Sequence, residues 1–113
     1  MKAINPTTGE AKWQTGFKSP NWAGTLVTAG GLVFTGTRTG ELIAVDADTG
    51  EILWRFQTSS GIVGQPVTWQ QNGTQYVTVT SGDRNNENAI RQDPNLANVP
   101  LGGSLWTFKL LAQ

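Results

Sequence analysis

The fold is decided by residues 44–54, which read AVDADTGEILW. The same pattern occurs 41 residues earlier, at residues 3–13, as AINPTTGEAKW, with its Ala, Thr, Gly, Glu and Trp retained. A third, partial copy, GSLWTF at residues 103–108, follows the pattern of GELIAV at residues 40–45. A period of about 40 residues is typical of propellers, in which each blade is a four-stranded antiparallel sheet. The sequence therefore predicts an all-β fold made of about two propeller blades.

Each full copy contains its own hairpin signal. The turn residues are Asn5 and Gly9 in the first copy and Asp46 and Gly50 in the second. The Asn or Asp side chain can accept hydrogen bonds from turn N–H groups, and the glycine supplies the positive φ that a tight hairpin needs. Trp13 and Trp54 follow four residues after the glycine, where a large ring can cover a neighbouring blade. We interpret both as core tryptophans rather than ligand contacts.

Short strands separated by turn residues account for most of the chain. They are predicted at about residues 2–5, 11–16, 24–29, 32–37, 41–46, 51–57, 65–70, 75–81 and 104–110. The strongest hairpin signal is Asn72-Gly73, because it lies between two strand-like runs and both residues tolerate positive φ. Leu32, Val33 and Phe34 are apolar in succession, which is expected where a strand packs on both faces. No segment shows the pattern of an amphipathic helix.

Composition excludes several classes of function. The 113 residues carry eight basic and eight acidic side chains, so no electrostatic attraction to nucleic acid is expected. Cysteine and histidine are both absent, which removes disulfides, thiolate nucleophiles, imidazole bases and the usual zinc sites. A metal would need oxygen ligands. No apolar run is long enough to span a membrane, and no leader sequence is evident.

Residues 1–113 are predicted to form one partial propeller with an inserted loop at about residues 83–102. A loop of this length is either functional or disordered. Its residues Asp83, Asn85 and Glu87 resemble calcium ligands, but the positions that need Gly and Glu in a helix-loop-helix calcium site hold Asn88 and Pro94. We interpret the segment as a solvated polar loop without a metal site.

A few blades cannot close a ring, so apolar sheet faces would meet water. If each open face exposes about 400 Å² of apolar surface, the cost is roughly 10 kcal/mol at ~25 cal/mol per Å². We therefore expect the faces to be covered by further propeller blades or by copies of this chain, with self-association of the isolated segment.

The ordered segments of the chain resemble the carboxy-terminal part of pyrroloquinoline quinone (PQQ)-dependent alcohol dehydrogenases. The resemblance is carried by PNWAGTLVTAGGLVFTG at 20–36, LWRFQT at 53–58, SGIVGQPVTW at 60–69, GTQYV at 73–77 and GSLWTFKL at 103–110. The run of segments is more specific than the Asp-x-x-Thr-Gly-x-x-x-Trp repeat, which non-enzymatic propellers of the outer-membrane assembly type share. A non-catalytic propeller scaffold or a self-assembling blade fragment is the alternative.

The resemblance implies an eight-bladed periplasmic propeller with PQQ on its axis, a calcium or lanthanide ion beside the quinone, and an Asp general base. The segments that supply the metal ligands, the base and an adjacent-cysteine pair in that family lie outside this chain, so we expect no catalytic or metal-ligating residue here and no activity of the chain alone. Cofactor contact is expected from Trp22, which matches the family's cofactor-facing tryptophan, and more weakly from Asn21. The family's late Trp-Gly-Gly loop has no counterpart, because residues 83–102 contain no tryptophan.

Overall fold

A computed structural model describes residues 1–17, 21, 23–82, 93–100 and 102–110. These residues form short strands and one 3₁₀ turn, and no α-helix occurs among them. The strands are β1 Lys2–Ile4, β2 Ala11–Gln14, β3 Leu26–Val27, β4 Leu32–Gly36, β5 Glu41–Asp46, β6 Ile52–Gln57, β7 Val67–Gln71, β8 Thr74–Ser81 and β9 Ser104–Lys109, with the 3₁₀ turn at Pro94–Leu96 between β8 and β9. The predicted all-β class is confirmed.

The strands form three antiparallel sheets that follow one another along the chain. The first sheet contains β1 and β2, the middle sheet contains β3 to β6 in sequence order, and the third contains β7, β8 and β9 in sequence order. The middle sheet is thus one complete four-stranded blade. The 41-residue repeat aligns β1 and β2 with its outer pair, β5 and β6, whereas the 63-residue offset aligns β9 with β5. The structure is therefore a partial propeller.

The two full sequence copies form hairpins with the same turn geometry. The first turn residue accepts a hydrogen bond from the backbone N–H two positions later, Thr7 to Asn5 Oδ1 at 2.9 Å and Asp48 to Asp46 Oδ1 at 2.7 Å. The turn glycine has φ of 74° in one copy and 77° in the other. Both hairpins also have a register shift at the same repeat position. The repeat read from the sequence is therefore a structural repeat.

The β7–β8 hairpin has the turn that the sequence predicted. Asn72 and Gly73 adopt φ of 52° and 77°, and Gln71 pairs with Thr74 across the turn. Positive φ at both central residues matches the right-handed twist of the two strands.

The middle sheet is buried on both faces, as the consecutive apolar residues of β4 predicted. On one face Val33, Ile43 and Val45 form a cluster to which Trp13 of the first sheet adds its ring. The opposite face makes two clusters with the third sheet. They comprise Phe34, Ala44 and Val77, and Leu42, Ile62 and Val79. Each side of this blade therefore packs against a neighbouring sheet.

Trp13 and Trp54 occupy equivalent positions in the repeat but differ in how far neighbouring residues bury their rings. Trp13 Nε1 donates to the carbonyl of Ala47 at 2.8 Å, so its ring lies on the hairpin of the next blade. Trp54 contacts the third sheet through Phe108, with ring centroids 5.2 Å apart, and stays 38% exposed. Trp13 is thus partly buried against the core of the middle blade, and Trp54 is more exposed.

The interface between the middle and third sheets is wedge-shaped. Beside β6 and β9 it is filled by aromatic rings, including Phe56 and Trp106 at 5.3 Å. Just before β3 and β7 it is narrow, because a Cβ on Gly24 would lie 3.2 Å from the side chain of Gln65. Sheets that converge on this side place β3 and β7 nearest the propeller axis.

Two sheet faces have no neighbour among the described residues. Ile4 of the first sheet is 57% exposed, and Leu105 of the third sheet is 68% exposed. Val67 and Trp69 share the open face with Leu105, because β7 pairs with β8 and β8 with β9 in register. No helix long and apolar enough to cross a membrane occurs in the described part of the chain.

Candidate cofactor site

The candidate site lies at the start of the strand nearest the axis. Asn21 comes shortly before β3, and its Nδ2 donates to Thr35 Oγ1 of β4 at 3.2 Å. Thr35 is fully buried, and its hydroxyl donates to the carbonyl of Gly24 at 3.1 Å. This short chain of bonds fixes the Asn21 side chain to the inner half of the middle blade.

One polar atom of the Asn21 side chain makes no hydrogen bond to the described residues. Its Oδ1 is buried and has no hydrogen-bond partner among the described residues. Buried acceptors are nearly always paired in native proteins, so an unpaired one needs an explanation such as a ligand or an ordered water. The atom is a carbonyl oxygen, which accepts N–H or O–H groups and repels anions.

Trp22, the stronger of the two predicted cofactor contacts, lies outside the described residues, as do the polar residues 83–92 of the predicted loop. Of the two predicted contacts, the structure describes Asn21 alone. The assignment of both residues to a quinone stays a prediction.

A buried hydroxyl network joins the middle and third sheets at the same end of the strands as Asn21. Thr58 and Ser60, in the segment that crosses from β6 to β7, contact Ser81 at the end of β8. Ser81 Oγ accepts from the Ser60 backbone N–H at 2.8 Å and donates to the Ser60 carbonyl at 2.7 Å. Thr58 Oγ1 lies 2.8 Å from Ser81 Oγ. The network links the crossing segment to the end of β8.

The β8–β9 connection contacts the crossing segment at this end of the blades. Ser60 Oγ donates to the Pro100 carbonyl at 2.6 Å, which attaches the returning part of the connection to the crossing segment. Asp93 caps the 3₁₀ turn through a bond from the Asn95 N–H at 3.1 Å, and Leu96 in that turn is fully buried. The described part of the predicted loop is therefore attached to the protein through Leu96 and the Pro100 carbonyl, while most of its residues are exposed.

Two further features bear on the chemistry. Among the described residues no group of three or more Asp or Glu side chains is placed to hold a metal. A groove of about 460 Å³ lies along the β1–β2 hairpin between Ile4 and Glu10, and Asn21 is not among its lining residues. That groove belongs to the open side of the first sheet and brings together no reactive groups.

Comparisons with known proteins agree with the fold and its repeat. The PQQ_2 family model, described as outer membrane protein assembly factor BamB, matches residues 1–99. A quinoprotein ethanol dehydrogenase of Pseudomonas putida is 46% identical over 99% of this chain and 18% of its own length. A methanol dehydrogenase subunit 1 of Methylobacterium organophilum is 49% identical over 73% of this chain and 13% of its own length.

Solved structures give the same result. A europium-containing methanol dehydrogenase superposes with a TM-score of 0.85 at 32% identity, over 96% of this chain and 23% of that chain. The quinohemoprotein alcohol dehydrogenase of Comamonas testosteroni gives a TM-score of 0.69 at 43% identity, over 72% of this chain and 12% of that one. This chain thus spans less than a quarter of each protein compared here.

The repeat, the three sheets and their convergence define a segment of a quinoprotein-type β-propeller. The chain belongs to the PQQ_2 propeller family, and its relatives include quinoprotein alcohol dehydrogenases. The predicted resemblance is confirmed.

Sequence reasoning missed Thr35 and the hydroxyls of Thr58, Ser60 and Ser81. One signal was present for Thr35, which is a polar residue at the end of the apolar run of β4. Thr58 and Ser60 are two residues apart, but Ser81 follows 21 residues after Ser60, and no local pattern brings it to them.

Proposed function

We propose that this chain forms part of a PQQ-dependent alcohol or sugar dehydrogenase and supplies one wall of its quinone site. The proposal is supported by relatives that are 46% identical over nearly the whole chain and are named as quinoprotein dehydrogenases. The wall consists of Asn21 and Trp22, at the start of the strand nearest the axis. The proposed setting is the periplasm, as the resemblance implies.

Asn21 is held at this wall by its amide nitrogen, because Nδ2 donates to Thr35 Oγ1 at 3.2 Å. When bound, the quinone supplies the oxidising chemistry, with a calcium or lanthanide ion as Lewis acid. The residues of this chain bind and orient the quinone and exclude water, and they transfer no proton.

The test is alcohol oxidation coupled to an artificial electron-accepting dye. We expect the full-length gene product, loaded with PQQ and calcium or a lanthanide, to oxidise a primary alcohol. The 113-residue segment given the same additions should be inactive, because it lacks the base and metal-ligand segments. Dye reduction by the segment alone would contradict its expected inactivity. An inactive full-length gene product, loaded with PQQ and metal, would contradict the proposed function.

The second candidate is a non-catalytic propeller scaffold, which the description of the matching family model favours. A scaffold needs no quinone, so PQQ would not bind to the full-length gene product. Equilibrium dialysis with PQQ separates the two candidates without any assay of activity.

A further inference from the structure

We propose that Thr35 is a positioning residue for Trp22, because its buried hydroxyl bonds to the residues on both sides of that tryptophan. The inference rests on the proposed function, in which Trp22 contacts the quinone. Trp22 itself lies outside the described residues, whereas Asn21, Ala23 and Gly24 around it are described. Thr35 belongs to the neighbouring strand β4 and would act on the cofactor only through Trp22.

The Thr35 hydroxyl takes over where the backbone pairing of β3 with β4 ends. The pair of this ladder nearest to Trp22 joins Leu26 to Phe34, and Thr35 is the next residue of β4. Its side chain is fully buried, and the hydroxyl donates to the Gly24 carbonyl at 3.1 Å. A side-chain bond therefore holds the stretch before β3 at a point where main-chain pairing has stopped.

The same hydroxyl also holds the residue before Trp22. Thr35 Oγ1 accepts from Asn21 Nδ2 at 3.2 Å, because its single proton is already donated to the Gly24 carbonyl. Asn21 Oδ1 has no partner among the described residues, so the bond to Thr35 is what fixes the amide there. One hydroxyl thus bonds to residues 21 and 24 by acting as acceptor and donor at once.

The residues that follow Trp22 have further support, which the residue before it lacks. Ala23 packs against the apolar cluster between the middle and third sheets, and Gln65 Nε2 donates to the Thr25 carbonyl at 3.2 Å. Consecutive Cα atoms are about 3.8 Å apart, so fixing both neighbours leaves the Trp22 backbone little freedom. Loss of the Thr35 hydroxyl should therefore release the Asn21 side of Trp22 more than the other side.

Removing the hydroxyl has a defined consequence. Valine keeps the branched shape of threonine, so Thr35→Val leaves the Gly24 carbonyl and Asn21 Nδ2 without their bonds while the carbon atoms around them stay packed. Trp22 then gains freedom that the quinone has to remove when it binds, and ordering a side chain on binding weakens affinity.

The first measurement follows Trp22 by fluorine NMR in the full-length gene product labelled with fluorotryptophan. The resonance that disappears in Trp22→Phe belongs to Trp22. In the quinone-free protein we expect Thr35→Val to shift or broaden this resonance, whereas Thr35→Ser, which keeps the hydroxyl, should retain the wild-type position. An unchanged Trp22 resonance in folded Thr35→Val would overturn the inference.

Thr58→Val is the matched control for a merely structural effect. Thr58 is also buried, and its hydroxyl bonds to the Gly40 carbonyl at 2.6 Å in the network that includes Ser81. Its loss should lower the free energy of unfolding, as Thr35→Val does, but leave the Trp22 resonance in place. A Trp22 resonance that moves as far in Thr58→Val would show general loosening of the blades and would also overturn the inference.

Isothermal titration of the metal-loaded, quinone-free protein with PQQ connects the positioning to the cofactor. We expect Thr35→Val to bind PQQ roughly three- to ten-fold more weakly than the wild type, and Thr35→Ser to stay within about two-fold. Wild-type affinity in folded Thr35→Val would contradict the inference and leave the proposed function in place. Failure of the wild type to bind PQQ would overturn the proposed function, whereas the fluorine signal measures the positioning of Trp22 without any quinone.

Asn21→Ala covers the case in which Thr35→Val does not fold. This variant removes the bond on one side of Trp22 and leaves the buried bond from Thr35 to the Gly24 carbonyl intact. The Trp22 resonance should again shift or broaden in the quinone-free protein. A resonance that keeps its wild-type position in Asn21→Ala would count against the inference in the same way.

Discussion

At the scale of single residues, Gly50 is constrained in a way that its repeat partner Gly9 is not. Both have positive φ, at 77° and 74°. A Cβ on Gly50 would lie 2.6 Å from the ring of Trp13, whereas a Cβ on Gly9 would meet nothing within 4 Å. Positive φ disfavours alanine at both positions, but only alanine at Gly50 also forces the Trp13 ring to move.

We therefore expect Gly9→Ala to lower the free energy of unfolding by about 1 kcal/mol and Gly50→Ala by roughly 2–4 kcal/mol. Urea unfolding of the two variants, followed by circular dichroism, measures the difference. Equal losses would show that Trp13 does not pack on the Gly50 turn as described.

At the scale of elements, the buried hydroxyl network holds the crossing segment between β6 and β7 in place. Ser81→Ala removes the hydroxyl that accepts from the backbone N–H of Ser60 at 2.8 Å. The expected loss in free energy of unfolding is about 1–3 kcal/mol.

Ser59→Ala is the matched control for this prediction. Ser59 belongs to the same segment, but its hydroxyl makes an exposed bond to Ser104 at 2.9 Å. Its removal should change the free energy of unfolding by less than ~0.5 kcal/mol. A Ser81 variant as stable as the Ser59 variant would mean that the network does not join the two sheets.

The elements also show what could be predicted from sequence and what could not. Local turn chemistry at Asn5, Asp46 and Asn72-Gly73 was sufficient to predict three hairpins, because each turn is specified by the residues within it. The partial exposure of Trp54 could not be predicted in this way, since its cover depends on a neighbouring blade. The orientation of Asn21 by Thr35 likewise depends on which strands lie side by side, and not on spacing along the chain.

At the scale of the whole molecule, the open faces determine how the isolated segment behaves. Val67, Trp69 and Leu105 are 54%, 42% and 68% exposed on one face of the third sheet. We expect this face to be covered by further blades in a complete propeller and by copies of the chain when the segment is alone.

Sedimentation velocity of the isolated segment at micromolar concentration should therefore show species larger than the monomer. Leu105→Lys should shift the distribution towards the monomer, because burying an unpaired ammonium group is costly. Leu53→Lys, at a 52% exposed position of β6 outside this face, should leave the distribution unchanged. A wild-type segment that sediments only as a monomer would contradict this expectation.

The central claim, that residues beside the start of β3 face a quinone, is tested most directly by tryptophan fluorescence of the full-length gene product during titration with PQQ. We predict that PQQ quenches the emission and that Trp22→Phe removes part of this quenching. Trp13→Phe, which alters a ring packed between the first and middle sheets, should not affect the Trp22 contribution. Quenching that is the same in Trp22→Phe as in the wild type, or no quenching in the wild type, would contradict the claim.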